Sequence, residues 1–166
     1  IKPNLPSKKG INYNFVITIQ PTSPFLKAST IYNCLKELSQ SNAQTVLTTR
    51  EEKHLSWGLD DGEFFPNYEK RVNRQWLPPN YVETGGCVAC ERDILNRGSR
   101  FGEIVKIVNV GFPESIDIDT AADWALAEHV LNRKRIAIWV VGSSKLGLGH
   151  VANMLIIASE LASHNI

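Results

Sequence analysis

An α/β fold with a mostly parallel sheet is what this chain predicts. Short apolar β-rich runs alternate with stretches of helical periodicity, the pattern of strands joined by crossover helices. With 166 residues, 43% of them hydrophobic, the chain is long enough for a real core and too apolar for disorder. No internal repeat or low-complexity tract interrupts the alternation.

The elements follow in order. Phe15-Val16-Ile17-Thr18-Ile19 is a buried strand that feeds a loop at Gln20-Pro21. Ile31, Leu35 and Leu38 recur at helical spacing, which predicts a helix over 29–38. Thr45-Val46-Leu47-Thr48-Thr49 is the next strand. Residues 51–84 are polar, aromatic and proline-bearing, too long for an idle connection, so a binding excursion with small strands of its own is expected. Cys87-Val88-Ala89 predicts a strand, 92–96 a short helix and 104–108 another strand. A helix over 120–131 opens on Thr120 with Asp123 three residues on, the spacing of a capping box. Ile136-Ala137-Ile138-Trp139-Val140-Val141 predicts a further strand, and 151–161 a last helix.

Composition excludes several classes. Eighteen basic against 17 acidic residues give a formal net charge of +1, so no bulk field favours nucleic acid or an anionic membrane. No apolar run nears the roughly 20 residues that span a bilayer, and the N-terminus carries no signal-peptide core. Three cysteines suggest no disulfide framework, and a reducing cytoplasm is the simplest setting. Cys87 and Cys90, three apart on a strand, point to opposite faces and are expected as small core residues. The chain opens on Ile1 without Met and closes on Ile166 inside an expected helix, so a piece of a longer protein is expected.

The stretch Ser115-Ile116-Asp117-Ile118-Asp119-Thr120 carries the most chemistry. On a strand, Asp117 and Asp119 would share one face, roughly 6–7 Å apart. Two like charges that close call for a cation, and Mg²⁺ takes one or two carboxylates and completes its shell with water and substrate phosphate. The alternative is structural: Asp119 or Thr120 caps the helix and Asp117 is solvated.

A seam is expected near Asn132-Arg133-Lys134-Arg135, giving a domain over 1–132 and a second unit over 133–166. Gly147-x-Gly149-x-x-Ala152 formally matches a dinucleotide fingerprint, while Lys145 precedes the second glycine, which excludes a P-loop. Such glycines would let a helix N-terminus meet a phosphate; a plain strand-to-helix turn explains them equally well.

Five motifs stand in order: Gln20-Pro21-Thr22-Ser23-Pro24, His54-x-x-Trp57, Arg74-Gln75-x-Leu77-Pro78, Glu83-x-Gly85 and the Asp117/Asp119 stretch. Together, over about residues 11–132, they resemble the acylneuraminate cytidylyltransferases, which activate sialic, pseudaminic or legionaminic acid. The resemblance implies a Rossmann-like, three-layer nucleotide-diphospho-sugar transferase fold. It also implies the reaction of CTP with a nine-carbon sugar acid to give CMP-sugar and pyrophosphate, with Mg²⁺. On it, Asp117 and Asp119 are the metal-binding and catalytic carboxylates. Gln20 contacts the sugar, where the alternative is a turn residue before Pro21, and Ser23 serves the same loop or merely caps the next helix. Arg74 pairs with the sugar carboxylate, where the alternative is an exposed surface arginine, and Gln75 lines the same pocket or supports its wall. Trp57 is a lid aromatic or a packing residue. The family implies a homodimer through the 51–84 excursion, with no nucleic-acid partner and no membrane insertion.

The chain also departs from the family pattern. Val88 stands where a tyrosine commonly faces the sugar, Thr84 where asparagine precedes the glycine, and Leu26 where an arginine is usual. Nothing before Ile11 resembles the family's phosphate-gripping loop, so the fold is expected to be incomplete at its N-terminus and this chain alone is expected not to turn over CTP. Gly147-Leu148-Gly149-His150 is similar to an element of the UDP-sugar hydrolases of pseudaminic acid synthesis, where the histidine, here His150, is in the active site.

Overall fold

A computed structural model describes residues 13–143 and 147–164. The expected absence of a phosphate loop before Ile11, and the residues 144–146 that include Lys145, lie outside the described residues. The chain divides into two compact units, Ile1–Asp119 and Thr120–Ile166. That division falls ahead of the 120–131 helix, whereas the basic stretch predicted a seam behind it.

The first unit is built on a four-stranded sheet. We label its elements β1 (Phe15–Ile19), α1 (Ala28–Gln40), β2 (Thr45–Glu52), β3 (Trp57–Asp60), β4 (Glu63–Pro66), β5 (Asn80–Glu91), α2 (Arg92–Asn96) and β6 (Val105–Asn109). The strand order is β1-β5-β2-β6. β6 runs parallel to β2, and β5 runs antiparallel to both β1 and β2. Three strands thus share one direction, as an α/β fold requires. The expectation of mostly parallel pairing is corrected, because β5 runs between β1 and β2 and makes two of the three ladders antiparallel. The cause is local: the 51–84 excursion returns the chain beside β2 in the opposite sense, so no crossover helix is needed.

β2 is buried along its first five residues, as a central strand flanked on both sides must be. Helix α1 lays Thr30, Cys34 and Leu38 inward at i, i+4 and i+8, with Ile31 and Leu35 half-buried beside them. The core joins Cys34 and Leu38 to Ala43, Val46, Cys87 and Ala89, with Phe15, Ile17, Leu26 and Val108 packed around. Cys87 and Cys90 are buried and free, as core residues on a strand.

The excursion folds into a two-stranded ribbon of β3 and β4. Asp61 and Gly62 turn it with φ of 44° and 84°, the positive values a tight hairpin needs. Leu59 opposes Phe64 and Trp57 opposes Pro66, so one ribbon face is apolar and exposed. Trp57 meets Tyr68 edge to face.

The second unit holds α3 (Ala121–Asn132) and α4 (Gly149–Glu160). Thr120 caps α3 through the reciprocal box with Asp123. The strand expected over 136–141 is corrected: these residues form no ladder, and Trp139 is 91% exposed. An apolar run becomes a strand only where a partner satisfies its backbone groups.

Candidate functional site

Because β1, β2 and β6 point the same way, their carboxyl ends meet at one edge of the sheet, where α/β folds place ligands. Three loops arrive there. The first follows β1: Ser23 N–H donates to the Gln20 carbonyl at 3.2 Å, and Gln20 N–H to the Gly86 carbonyl at 3.4 Å. The second is an irregularity within β5. Between the pairs Leu47–Val88 and Thr49–Glu83, β2 contributes one residue and β5 four, so residues 84–87 bulge out of the ladder. The third is the segment after β6, whose Ile118 N–H donates to the Thr22 carbonyl at 2.9 Å.

The bulge is held from behind. Thr84 Oγ1 donates to Thr48 Oγ1 at 2.8 Å, and Cys87 N–H donates to Thr48 Oγ1 at 3.0 Å. Both threonines are buried, so these bonds replace water and fix the loop. Behind them the hydrogen bond with Cys87, then burial, pushes the Cys34 thiol far up, which makes it a core residue and not a nucleophile.

Gly85 sits at the crest with φ +71°. A Cβ there would stand 2.9 Å from Asp117 Oδ2 and 2.9 Å from Gln20 Oε1. Glycine is therefore required twice, for backbone sign and for the room taken by two polar side chains. At Gly86 a Cβ would stand 3.4 Å from Ser23 Oγ. Gln20, Ser23 and Asp117, far apart in sequence, thus converge on one glycine pair.

Two polar atoms in this cluster are buried without a hydrogen-bond partner: Asp117 Oδ1 and Ser23 Oγ. Each such atom costs about 1–3 kcal/mol when left unsatisfied, so the cluster contributes little to stability and leaves two acceptors open to a ligand atom. Asp117 and Asp119 lie in an irregular segment, which corrects the expected strand and with it the strict same-face argument. Asp117 is half-buried and Asp119 is exposed. The cap of α3 is Thr120, so neither aspartate is the N-cap.

Arg74 and Gln75 are not joined to this cluster by hydrogen bonds. Both lie exposed in a short 3₁₀ turn over Arg74–Trp76, and no side-chain hydrogen bond ties either of them to Gln20, Ser23 or Asp117. Val88 is buried in the sheet opposite Leu47 and Thr18. In the second unit, Gly147 takes φ +79° and its N–H donates to the Ser143 carbonyl at 2.9 Å; Gly149 and His150 begin α4, exposed.

Sequence reasoning missed the Thr48–Thr84 support and the bulge itself. The pair Gly85-Gly86 within a strand-like run was the available signal. Glu114 was missed as well. It accepts from Thr30 Oγ1 and from Lys27 N–H, and pairs with Lys27 Nζ at 2.7 Å. Burial pushes its carboxyl up, but the Lys27 and Thr30 hydrogen bonds outweigh that and hold it below the usual range.

Among the described residues, no three of His, Cys, Asp and Glu gather as a protein-only metal cage. A site for Mg²⁺ needs less, one or two carboxylates with substrate phosphate, and the orphaned Asp117 oxygen fits that role. No helix among the described residues is long and apolar enough to cross a membrane.

No family model matches the chain. It is 29% identical over 136 residues to the CMP-N,N'-diacetyllegionaminic acid synthase of Legionella pneumophila, covering 76% of this chain and 57% of that protein. Its fold is similar to that of 4-diphosphocytidyl-2C-methyl-D-erythritol synthase from Anaerococcus prevotii, with TM-score 0.52 and 18% identity, over 75% of this chain and 63% of the other. The chain therefore spans less than two thirds of either protein and shares a Rossmann-like α/β fold with the second. The comparisons lend no support to a UDP-sugar hydrolase element at residues 147–150.

Proposed function

We propose that this chain is the core of a cytidylyltransferase that joins CTP to a nine-carbon sugar acid, releasing pyrophosphate. The observation that carries the reading is the buried, unpartnered Asp117 Oδ1 beside Gln20 and Gly85 at the carboxyl edge of the sheet. The name of the Legionella relative supports the choice of a CMP-sugar acid as product.

On this reading Asp117 would hold a Mg²⁺ ion, with Asp119 as the second candidate carboxylate. When bound, Mg²⁺ neutralises charge on the phosphoryl oxygens as pyrophosphate leaves. The Gln20 amide both donates and accepts, which suits a hydroxyl-rich sugar. Ser23 Oγ, buried without a protein partner, offers a donor to the same ligand. Arg74, exposed on the segment after the ribbon, supplies a guanidinium fork for the sugar carboxylate once that segment folds over it. Gln75 lines the same wall. The apolar face of the β3–β4 ribbon would carry the homodimer contact, and the cytoplasm is the compartment that supplies CTP.

The test is binding of the nucleotide. Calorimetric titration of the full chain with CTP is expected to show Mg²⁺-dependent binding, weakened on the order of a hundredfold in Asp117→Asn. Equal binding by the variant, or binding indifferent to Mg²⁺, would refute the reading.

A further inference from the structure

We infer that Glu114 is a positioning residue, which sets the Asp117 segment against the loop after β1 by capping α1 from a distance. The inference rests on the reading of Asp117 as a metal carboxylate.

Helix α1 opens on Lys27, whose side chain gives no cap, and its first turn holds no acidic residue. Free N–H groups at a helix start need an acceptor. Glu114 provides it from the other side of the sequence: Lys27 N–H donates to Oε2 at 3.4 Å, Thr30 Oγ1 donates to the same oxygen, and Lys27 Nζ reaches Oε1 at 2.7 Å. The Glu114 side chain is only 12% exposed. The Lys27 ion pair, 63% exposed on its own side, would hold little alone; the three contacts together fix the carboxylate.

Asp117 follows three residues later, and Ile118 is bonded to the Thr22 carbonyl at 2.9 Å. Between the anchors, Ser115 N–H donates to the Gly111 carbonyl and Ile116 N–H to the Pro113 carbonyl, so the segment turns as one piece. Asp117 thus hangs between Glu114 and Ile118, both tied to the stretch 22–30 that also bears Ser23. Glu114 touches none of the candidate ligand-binding atoms. It acts by keeping the Asp117 carboxylate over Gly85 and beside Gln20.

Supporting residues of this kind typically cost about 10–100-fold in metal affinity when removed. The experiment compares the full chain with Glu114→Gln, Asp117→Asn and the double variant Lys27→Asp/Glu114→Gln. Mn²⁺ with CTP is the probe, read by spin resonance, alongside hydrogen exchange of the Ile118 amide and the thermal midpoint. Glu114→Gln is expected to weaken Mn²⁺–CTP binding about tenfold and to speed Ile118 exchange. In the double variant, the introduced aspartate caps α1 locally and restores the midpoint, yet binding and exchange stay impaired because the tether is still absent. Recovery of binding together with the midpoint would overturn the inference, because Glu114 would then be only a helix cap. Unchanged binding in Glu114→Gln would overturn it equally. Failure of the wild-type chain to bind, or wild-type binding by Asp117→Asn, would instead fell the metal reading, and the inference with it.

Discussion

Gly85 and Gly147 have nearly the same backbone φ, +71° and +79°, and very different surroundings. A Cβ on Gly85 would collide with a carboxylate and an amide; one on Gly147 would meet nothing within 4 Å among the described residues. Next to the first lie two buried polar atoms that lack partners, whereas Gly147 is exposed and its N–H donates to the Ser143 carbonyl. Both turns carry glycine spacings that suggest ligand binding. The difference teaches that a glycine pattern marks a turn, and that the polar side chains converging on Gly85 are what set the first turn apart.

Substitution at the two glycines breaks the comparison most sharply. Gly85→Ala and Gly147→Ala should each lose about 1–2 kcal/mol of stability, because both force a side chain into the left-handed region. The atoms that obstruct a Cβ at Gly85 are the ends of flexible side chains, so they can swing away without unfolding the sheet. Swinging displaces the very groups proposed to bind. Mg²⁺–CTP affinity should therefore fall on the order of a hundredfold in Gly85→Ala and stay unchanged in Gly147→Ala, by calorimetry and thermal melts on the same samples. Equal affinities would erase the distinction between the turns.

A smaller effect sharpens the account of the first turn's support. Glu114 titrates below the usual carboxylate range in the folded chain, so its contribution is present above its unfolded value and lost as pH falls through the folded one. The facing groups are Lys27, through its ammonium and its N–H, and the Thr30 hydroxyl. Melting of the wild type should lose up to about 1 kcal/mol more than Glu114→Gln on acidification through that window. Parallel profiles for the two proteins would show that the carboxylate is not held as described.

Local signals carried much of the fold. β1 matches its apolar run residue for residue, the capping box at Thr120 and Asp123 is present, and the 51–84 excursion contains the expected small strands. β5 was legible only in its apolar half, because Glu83, Thr84 and the two glycines hide the rest of a twelve-residue strand. Its direction was not legible, since that depends on how the excursion returns. The run 136–141 is as apolar as any strand in the chain, yet it forms no ladder among the described residues. At the site, Gln20, Ser23 and Asp117 were singled out by residue type and motif. Their meeting over Gly85 is a property of the sheet edge, and the Glu114 tether spans more than eighty residues of sequence with no local trace. Arg74 and Gln75 were equally conspicuous as a motif, but the fold leaves both side chains on the surface without a hydrogen bond to that cluster.

The most direct test places a metal by its effect on backbone amides. Mn²⁺ added with CTP to isotope-labelled chain should broaden resonances centred on Gln20, Gly85 and Ile118, and Asp117→Asn should abolish that broadening. Broadening centred on residues 147–150, or an unaltered pattern in the variant, would contradict the assignment of the sheet edge as the nucleotide site.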